Sequence, residues 1–204
     1  TEDWSFTTEA QPTFTISGET TDVNGDPLVG VQVTADSQSV LIDGNGVYRI
    51  TGLLAETYTV TPTKDEYDFT PTSSQQTVGP SQQHVDFVGT LRTYSISGNV
   101  SVEGTGLAGV EVTDGTRTAT TDANGDYTLA GMPSDTYSVT CNEDLDGDGH
   151  SDYRYTPGSQ TVNVEGAAAT DVDFTAAATT YTVSGTISDS SGDRIAGVTV
   201  TAAE

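Results

Sequence analysis

Tyr94-Ser95-Ile96-Ser97-Gly98-Asn99-Val100-Ser101-Val102 is the stretch on which the fold turns. Tyr94, Ile96, Val100 and Val102 are apolar, and polar or small residues separate them. Alternation with a period of two marks a strand that buries one face. Its opening recurs as Phe14-Thr15-Ile16-Ser17-Gly18, and again as Tyr181-Thr182-Val183-Ser184-Gly185. From position 14 to 94 is 80 residues, and from 94 to 181 is 87. Self-similarity at such a spacing is the signature of a repeat array.

Working outward, further landmarks recur in the same order. Val29-Gly30-Val31-Gln32-Val33 matches Ala108-Gly109-Val110-Glu111-Val112 and Ala196-Gly197-Val198-Thr199-Val200. Asp43-Gly44-Asn45-Gly46-Val47-Tyr48 matches Asp122-Ala123-Asn124-Gly125-Asp126-Tyr127, and Thr57-Tyr58-Thr59-Val60 matches Thr136-Tyr137-Ser138-Val139. Phe69-Thr70-Pro71 matches Tyr155-Thr156-Pro157, and Val85-Asp86-Phe87 matches Val172-Asp173-Phe174. The repeats therefore occupy 13–89 and 93–176, and a third begins near 180 and stops after its second expected strand. Short alternating runs bounded by Gly, Asn, Asp and Pro, with no 3.6-residue period, predict an all-β fold. Seven short strands in each unit fit a two-sheet sandwich. Linkers Val88–Thr93 and Thr175–Thr180 are short, which predicts an extended, semi-rigid array.

Ser-Gly, a turn, Gly-Val-x-Val, Thr-Asp-Ala-Asn-Gly-x-Tyr-x-Leu, Gly-Met and Thr-Tyr-x-Val form a pattern, best developed at 119–139. It resembles the carboxypeptidase regulatory-like, or transthyretin-like, domains, which are related to the B-type repeats of bacterial surface adhesins. The resemblance covers 13–204. It implies tandem seven-stranded prealbumin-like (Ig-like) β-sandwiches in a secreted multidomain surface protein. Adhesin B-type repeats often carry a Lys–Asn crosslink, whereas the single lysine here, Lys64, follows the Tyr58–Thr61 strand, so such crosslinks are not expected. Trp4-Ser5-Phe6-Thr7-Thr8 resembles the last strand of bacterial Ig-like domains, which implies that 1–12 is the tail of a preceding domain, a linker or a donor strand. No signal peptide opens the chain, so it reads as a mature product or an excised segment.

Composition removes several function classes. The chain has 30 acidic and 6 basic residues in 204, a net charge of -24. That balance opposes nucleic acid, whose phosphates require clustered cations, and anionic lipid surfaces. No apolar run approaches the roughly 18 residues of a membrane span. One cysteine, Cys141, allows neither an intrachain disulfide nor a cysteine-rich zinc site, and its place in the Tyr137/Val139 alternation marks it as a small core residue.

The sharpest chemical feature is Asn142-Glu143-Asp144-Leu145-Asp146-Gly147-Asp148-Gly149-His150-Ser151-Asp152. From Thr61 to Phe69 is 8 positions and from Thr140 to Tyr155 is 15, so the second repeat carries a seven-residue acidic insertion. Asp144, Asp146 and Asp148 take positions 1, 3 and 5 of an EF-hand-like loop. Gly149 takes the sharp turn at 6, the His150 carbonyl position 7 and Asp152 position 9. This pattern gathers hard oxygen ligands and predicts a Ca2+ site. Position 12 is Tyr155 instead of the bidentate Glu, so Glu143 or Asp135 is expected to supplement it. The alternative is a solvated acidic loop. The turns at Asp22–Asp26 and Asp122–Asp126 read as carboxylate-capped turns. Asn99-Val100-Ser101 makes Asn99 a glycosylation candidate. Tyr67, Tyr153 and Tyr155 flank the variable loop and offer a possible sugar-stacking surface. No nucleophile–base motif supports an enzyme.

The sequence thus predicts a structural or adhesive segment of an extracellular surface or filament protein, stabilised by Ca2+. Its expected partners are neighbouring domains or copies, with strand complementation as one way of joining them, and surface glycans. The alternative is a carbohydrate-binding or accessory module of a secreted hydrolase.

Overall fold

A computed structural model describes residues 9–201. The first repeat forms β1 (Phe14–Asp22), β2 (Gln32–Ala35), β3 (Gln38–Leu41), β4 (Val47–Leu53), β5 (Thr57–Thr63), β6 (Tyr67–Thr70), β7 (Ser74–Thr77) and β8 (Phe87–Leu91). The second forms β9 (Tyr94–Val102), β10 (Thr105–Gly106), β11 (Glu111–Thr113), β12 (Thr118–Thr120), β13 (Asp126–Met132), β14 (Asp135–Cys141), β15 (Tyr153–Thr156), β16 (Gln160–Val164) and β17 (Phe174–Ala178). No helix is present among the described residues. The first unit therefore has one strand more than the seven expected, because Asp36, at φ 49°, turns β2 directly back into the short β3. The second unit has that hairpin as β11–β12 and also the two-residue β10.

Each unit stacks two sheets. In the first they run β4-β1-β8-β6 and β3-β2-β5-β7; in the second, β13-β9-β17-β15, with β10 also on β9, and β12-β11-β14-β16. The opening strand divides its partners. Thr15–Glu19 of β1 pair antiparallel with β4, and Thr20–Asp22 pair parallel with the closing strand β8. β9 likewise pairs antiparallel with β13 and then parallel with β17 through Val100–Val102.

Alternation sends one face of every strand inward, and two separate cores result. Ile16, Val31, Val33, Tyr48, Val60, Phe69, Val85 and Phe87 belong to the first. Ile96, Val110, Val112, Tyr127, Leu129, Val139, Cys141, Tyr155, Val172 and Phe174 belong to the second. A tyrosine locks each one: Tyr48 Oη donates to Val85 O at 2.5 Å and Tyr127 Oη to Val172 O at 2.6 Å. The Ser-Gly landmark has the same cause. A Cβ on Gly18 would stand 2.1 Å from Val85 O, and one on Gly98 2.0 Å from Val172 O. Only glycine lets the crossing backbone approach so closely. The repeated Thr-Pro bonds Thr70-Pro71 and Thr156-Pro157 are both cis.

The two strands expected in the third repeat do not form among the described residues. An isolated bridge, Ser188 to Arg194, is the pairing there. Val183, counterpart of the fully buried Ile96, is 94% exposed. The opening strand of each complete unit depends on both its β4-like and its β8-like neighbour, and the described residues after 180 supply neither. Trp4 and Phe6, the suggested tail strand, lie outside the described residues; residues 9–13 carry no strand.

Candidate metal centre

The acidic insertion joins β14 to β15 across Asn142–Asp152, at one end of the second sandwich. Its acids fold the loop around themselves. Asp144 Oδ1 and Oδ2 accept from the amides of Gly147 and Gly149 at 2.7 and 2.9 Å. Asp152 Oδ2 accepts from Leu145 at 2.7 Å and Asp146 at 3.3 Å. Asp146 Oδ1 accepts from Asp148 N at 3.0 Å, and Asp148 Oδ1 from His150 N at 2.8 Å. The base is closed where Asp152 N donates to Glu143 O at 2.7 Å and Ser151 Oγ to Glu143 Oε2 at 3.2 Å.

Three of the predicted residues converge. Carboxylate oxygens of Asp144, Asp146 and Asp152 lie within 4.8 Å of one another. Asp148 and the His150 side chain stand outside this cluster and line an adjoining cavity of about 380 Å³ with Ser151, Asp152, Thr179 and Tyr181. Glu143 lies at the base of the loop, outside the three-carboxylate group, and holds Ser151. Asp135 does not belong to the loop: it starts β14, whose opposite end carries the loop, and its carboxylate accepts from Thr136 N. Like charges held this close repel, and a hard cation with oxygen ligands at about 2.3–2.6 Å relieves that repulsion.

Position 12 behaves unlike an exposed ligand. Tyr155 is only 6% exposed and packs in the second core. Burial first, then neighbours that include Glu143 and Asp152, push its hydroxyl well above the ordinary tyrosine range. Among the described residues, the buried side-chain oxygens without a hydrogen-bond partner are Tyr155 Oη and Thr179 Oγ1. Thr179 lines the cavity beside the loop, and Tyr155 feels the charge of two loop acids. An alternating pattern reveals that Tyr155 points inward; it gives no sign that its hydroxyl lacks a partner.

The other predicted sites resolve differently. The burial of Tyr155 corrects the suggested sugar-stacking trio: its ring is tilted against Tyr153 at 6.5 Å inside the sandwich. Tyr67 occupies the counterpart of Tyr153 in the other unit and carries Lys64 Nζ 5.2 Å above its ring. Asn99 Nδ2 donates to Asn124 O and Asp126 Oδ1, both at 2.8 Å, so glycan attachment there would break one of these bonds. The Asp22 carboxylate caps its own turn, accepting from Asn24 N at 2.8 Å and Asp26 N at 2.9 Å. Asp122 repeats this with Asn124 and Asp126. Burial pushes the Cys141 thiol up to about 12, which suits a core residue.

The family match follows the bounds of the first repeat. Residues 15–89 match the carboxypeptidase regulatory-like domain family. The matched stretch coincides with the first sandwich, which is similar to that family along nearly its whole length. Over 214 aligned positions, 98% of this chain is 33% identical to 13% of chitinase ChiA of Flavobacterium johnsoniae. A 73-residue stretch, 36% of the chain, is 42% identical to 14% of Structural protein 27 of a virus (isolate Australia/Victoria). The chain thus spans about an eighth to a seventh of the length of these relatives. The Bacillus anthracis TIE protein shares the fold, with a TM-score of 0.57 at 12% identity over 80% of this chain and 33% of that one.

Proposed function

We propose that this chain is a structural segment of an extracellular surface or filament protein, in which tandem β-sandwiches space or present other parts of a longer molecule. The observation that carries this reading is the pair of self-contained cores, with a linker of two residues, Arg92 and Thr93, between β8 and β9. A viral structural protein among the relatives agrees with it. Small-angle X-ray scattering tests it. A compact 204-residue globule has a radius of gyration of about 17 Å. The array should give a clearly larger value, and a value near 17 Å would refute it.

Calcium belongs to the same reading. The clustered Asp144, Asp146 and Asp152, with Glu143 at the base and the unsatisfied hydroxyls of Tyr155 and Thr179 alongside, suit a hard divalent cation. Its role is to rigidify the second sandwich by binding the folded loop. Isothermal titration should give heat with the native chain and none with Asp146→Ala; equal heats would remove the site.

A second reading rests on one finding, the similarity of nearly the whole chain to a stretch of a chitinase. An accessory module of a secreted hydrolase would retain chitin in a pull-down, and a purely structural spacer would not. On either reading the chain itself is non-catalytic and partners are neighbouring domains, copies or glycans. Among the described residues no helix is long and apolar enough to cross a membrane.

A further inference from the structure

The corner before β6 in the first sandwich and the matching corner before β15 in the second each touch the chain that follows their sandwich, and do so in the same way. In the first, Arg92 N donates to Glu66 O at 2.7 Å. In the second, Thr179 N donates to Asp152 O at 2.8 Å. These bonds are equivalent, since Glu66 and Asp152 immediately precede the matched Tyr67 and Tyr153, and residues 92 and 179 differ by the same 87 positions as Tyr94 and Tyr181. The tyrosine that opens the next unit then anchors on the same corner. Tyr94 Oη donates to Glu66 Oε2 at 3.2 Å, and Tyr181 Oη donates to Ser151 O at 3.0 Å, with the His150 ring edge-on to Tyr181 at 6.1 Å.

The first joint is the more elaborate. Glu66 sits at φ 64°, a left-handed conformation uncommon outside glycine, and its carboxylate also accepts from Ser134 Oγ at 2.7 Å. Ser134 lies between β13 and β14, deep in the second unit's chain, and in turn accepts from Gly166 N at 3.1 Å. One carboxylate of the first sandwich therefore holds two separate segments of the second. Arg92 in the linker closes the other side through Asp68 at 2.9 Å and Tyr67 O at 3.2 Å. Hydrogen bonds to an ionised carboxylate are the stronger kind, and two of them from different segments fix an angle where one leaves a swivel.

We propose that this corner is a built-in joint of the array. The residue before β6 or β15 receives the linker amide, the opening tyrosine of the next repeat latches onto the corner, and Glu66 is the pin that sets the angle between the first two sandwiches. This rests on the reading of the chain as an extended array, and it adds what makes that array stiff.

Residual dipolar couplings on the full chain test it. In the native protein both sandwiches should fit one alignment tensor. Glu66→Ala should split the tensor in two, Tyr94→Phe should do so partially, and Glu66→Gln, which keeps an acceptor oxygen, should restore the single tensor. A purely local stabilising role would lower the melting point without splitting it. A single tensor in both Glu66→Ala and Tyr94→Phe would overturn the joint, as would two tensors in the native chain. If Glu66→Ala fails to fold, Tyr94→Phe, which deletes one hydroxyl, decides alone. Scattering separates this outcome from failure of the array itself: uncoupled sandwiches keep a large radius of gyration, whereas a merged globule gives about 17 Å.

Discussion

Gly98 has no room for a side chain, and that fact gives the sharpest mutational expectation. Gly98→Ala drives a methyl group into the Val172 carbonyl, which cannot yield without moving the β17 crossover. Overpacking of this kind costs about 1–3 kcal/mol. Chemical denaturation should show such a loss, and likewise for Gly18→Ala against Val85. Gly185→Ala, in open space, should leave stability unchanged; equal losses at all three would contradict the packing account. The recurring Ser-Gly was plain in the sequence, but its reason was not, because the carbonyl it accommodates lies 74 positions away at Val172. Asp22 gives an expectation about pH. The Asp26 amide first, opposed by some desolvation, and then groups of Asn24 and Gly25 hold its carboxyl below the ordinary 3.8. A depressed carboxyl adds turn stability that is present above the unfolded value and is lost as pH falls through the folded one. The amide resonances of Asn24 and Asp26 should therefore titrate with a midpoint under 3.8, and Asp22→Asn should abolish the transition.

Strands were the most legible elements. Alternation alone places Val110/Val112, Tyr127/Leu129 and Val172/Phe174 inward, and all six are buried. Pairing was not legible, since nothing in β9 announces that its first half joins β13 and its second half β17. The acidic loop was legible in part. The spacing of Asp144, Asp146 and Asp152 identifies a cluster, yet Asp148 belongs to the cavity wall, because its carboxylate turns back to cap its own loop at His150 N. If the loop holds calcium, the effect is confined to one sandwich. Free ion at about 100 times the dissociation constant stabilises the folded form by about 2.7 kcal/mol. In a domain this size each kcal/mol moves the melting point by roughly 4–8 °C. Calcium should thus raise the transition of the second sandwich and leave the first alone, with a chelator reversing it. Calorimetry showing both transitions moving equally would point to general charge screening.

For the molecule as a whole, charge dominates. Against a net charge of -24 the described residues form two ion pairs, Arg92–Asp68 and Arg117–Asp114. Self-repulsion of this size opposes the folded state. Raising salt from about 0.01 M to about 0.15 M shortens the screening length from about 30 Å to about 8 Å. The melting point should rise over that range with an inert monovalent salt. A flat response would mean that the acids are already too widely spread to interact. The tandem plan was readable from the spacing of repeats, whereas the contact of one unit with the next was not, because Glu66 looks like any surface acid until Tyr94 and Ser134 are placed beside it.

The parallel pairing of first and last strands has a mechanical consequence. Thr20–Asp22 of β1 lie alongside Phe87–Gly89 of β8, and Val100–Val102 of β9 alongside Phe174–Ala176 of β17. The chain enters each sandwich at the start of one of these strands and leaves at the end of the other. Tension along the polypeptide therefore drags the two past each other lengthwise, and their hydrogen bonds carry the load together in shear, where a hairpin pulled at its open end would unzip one bond at a time.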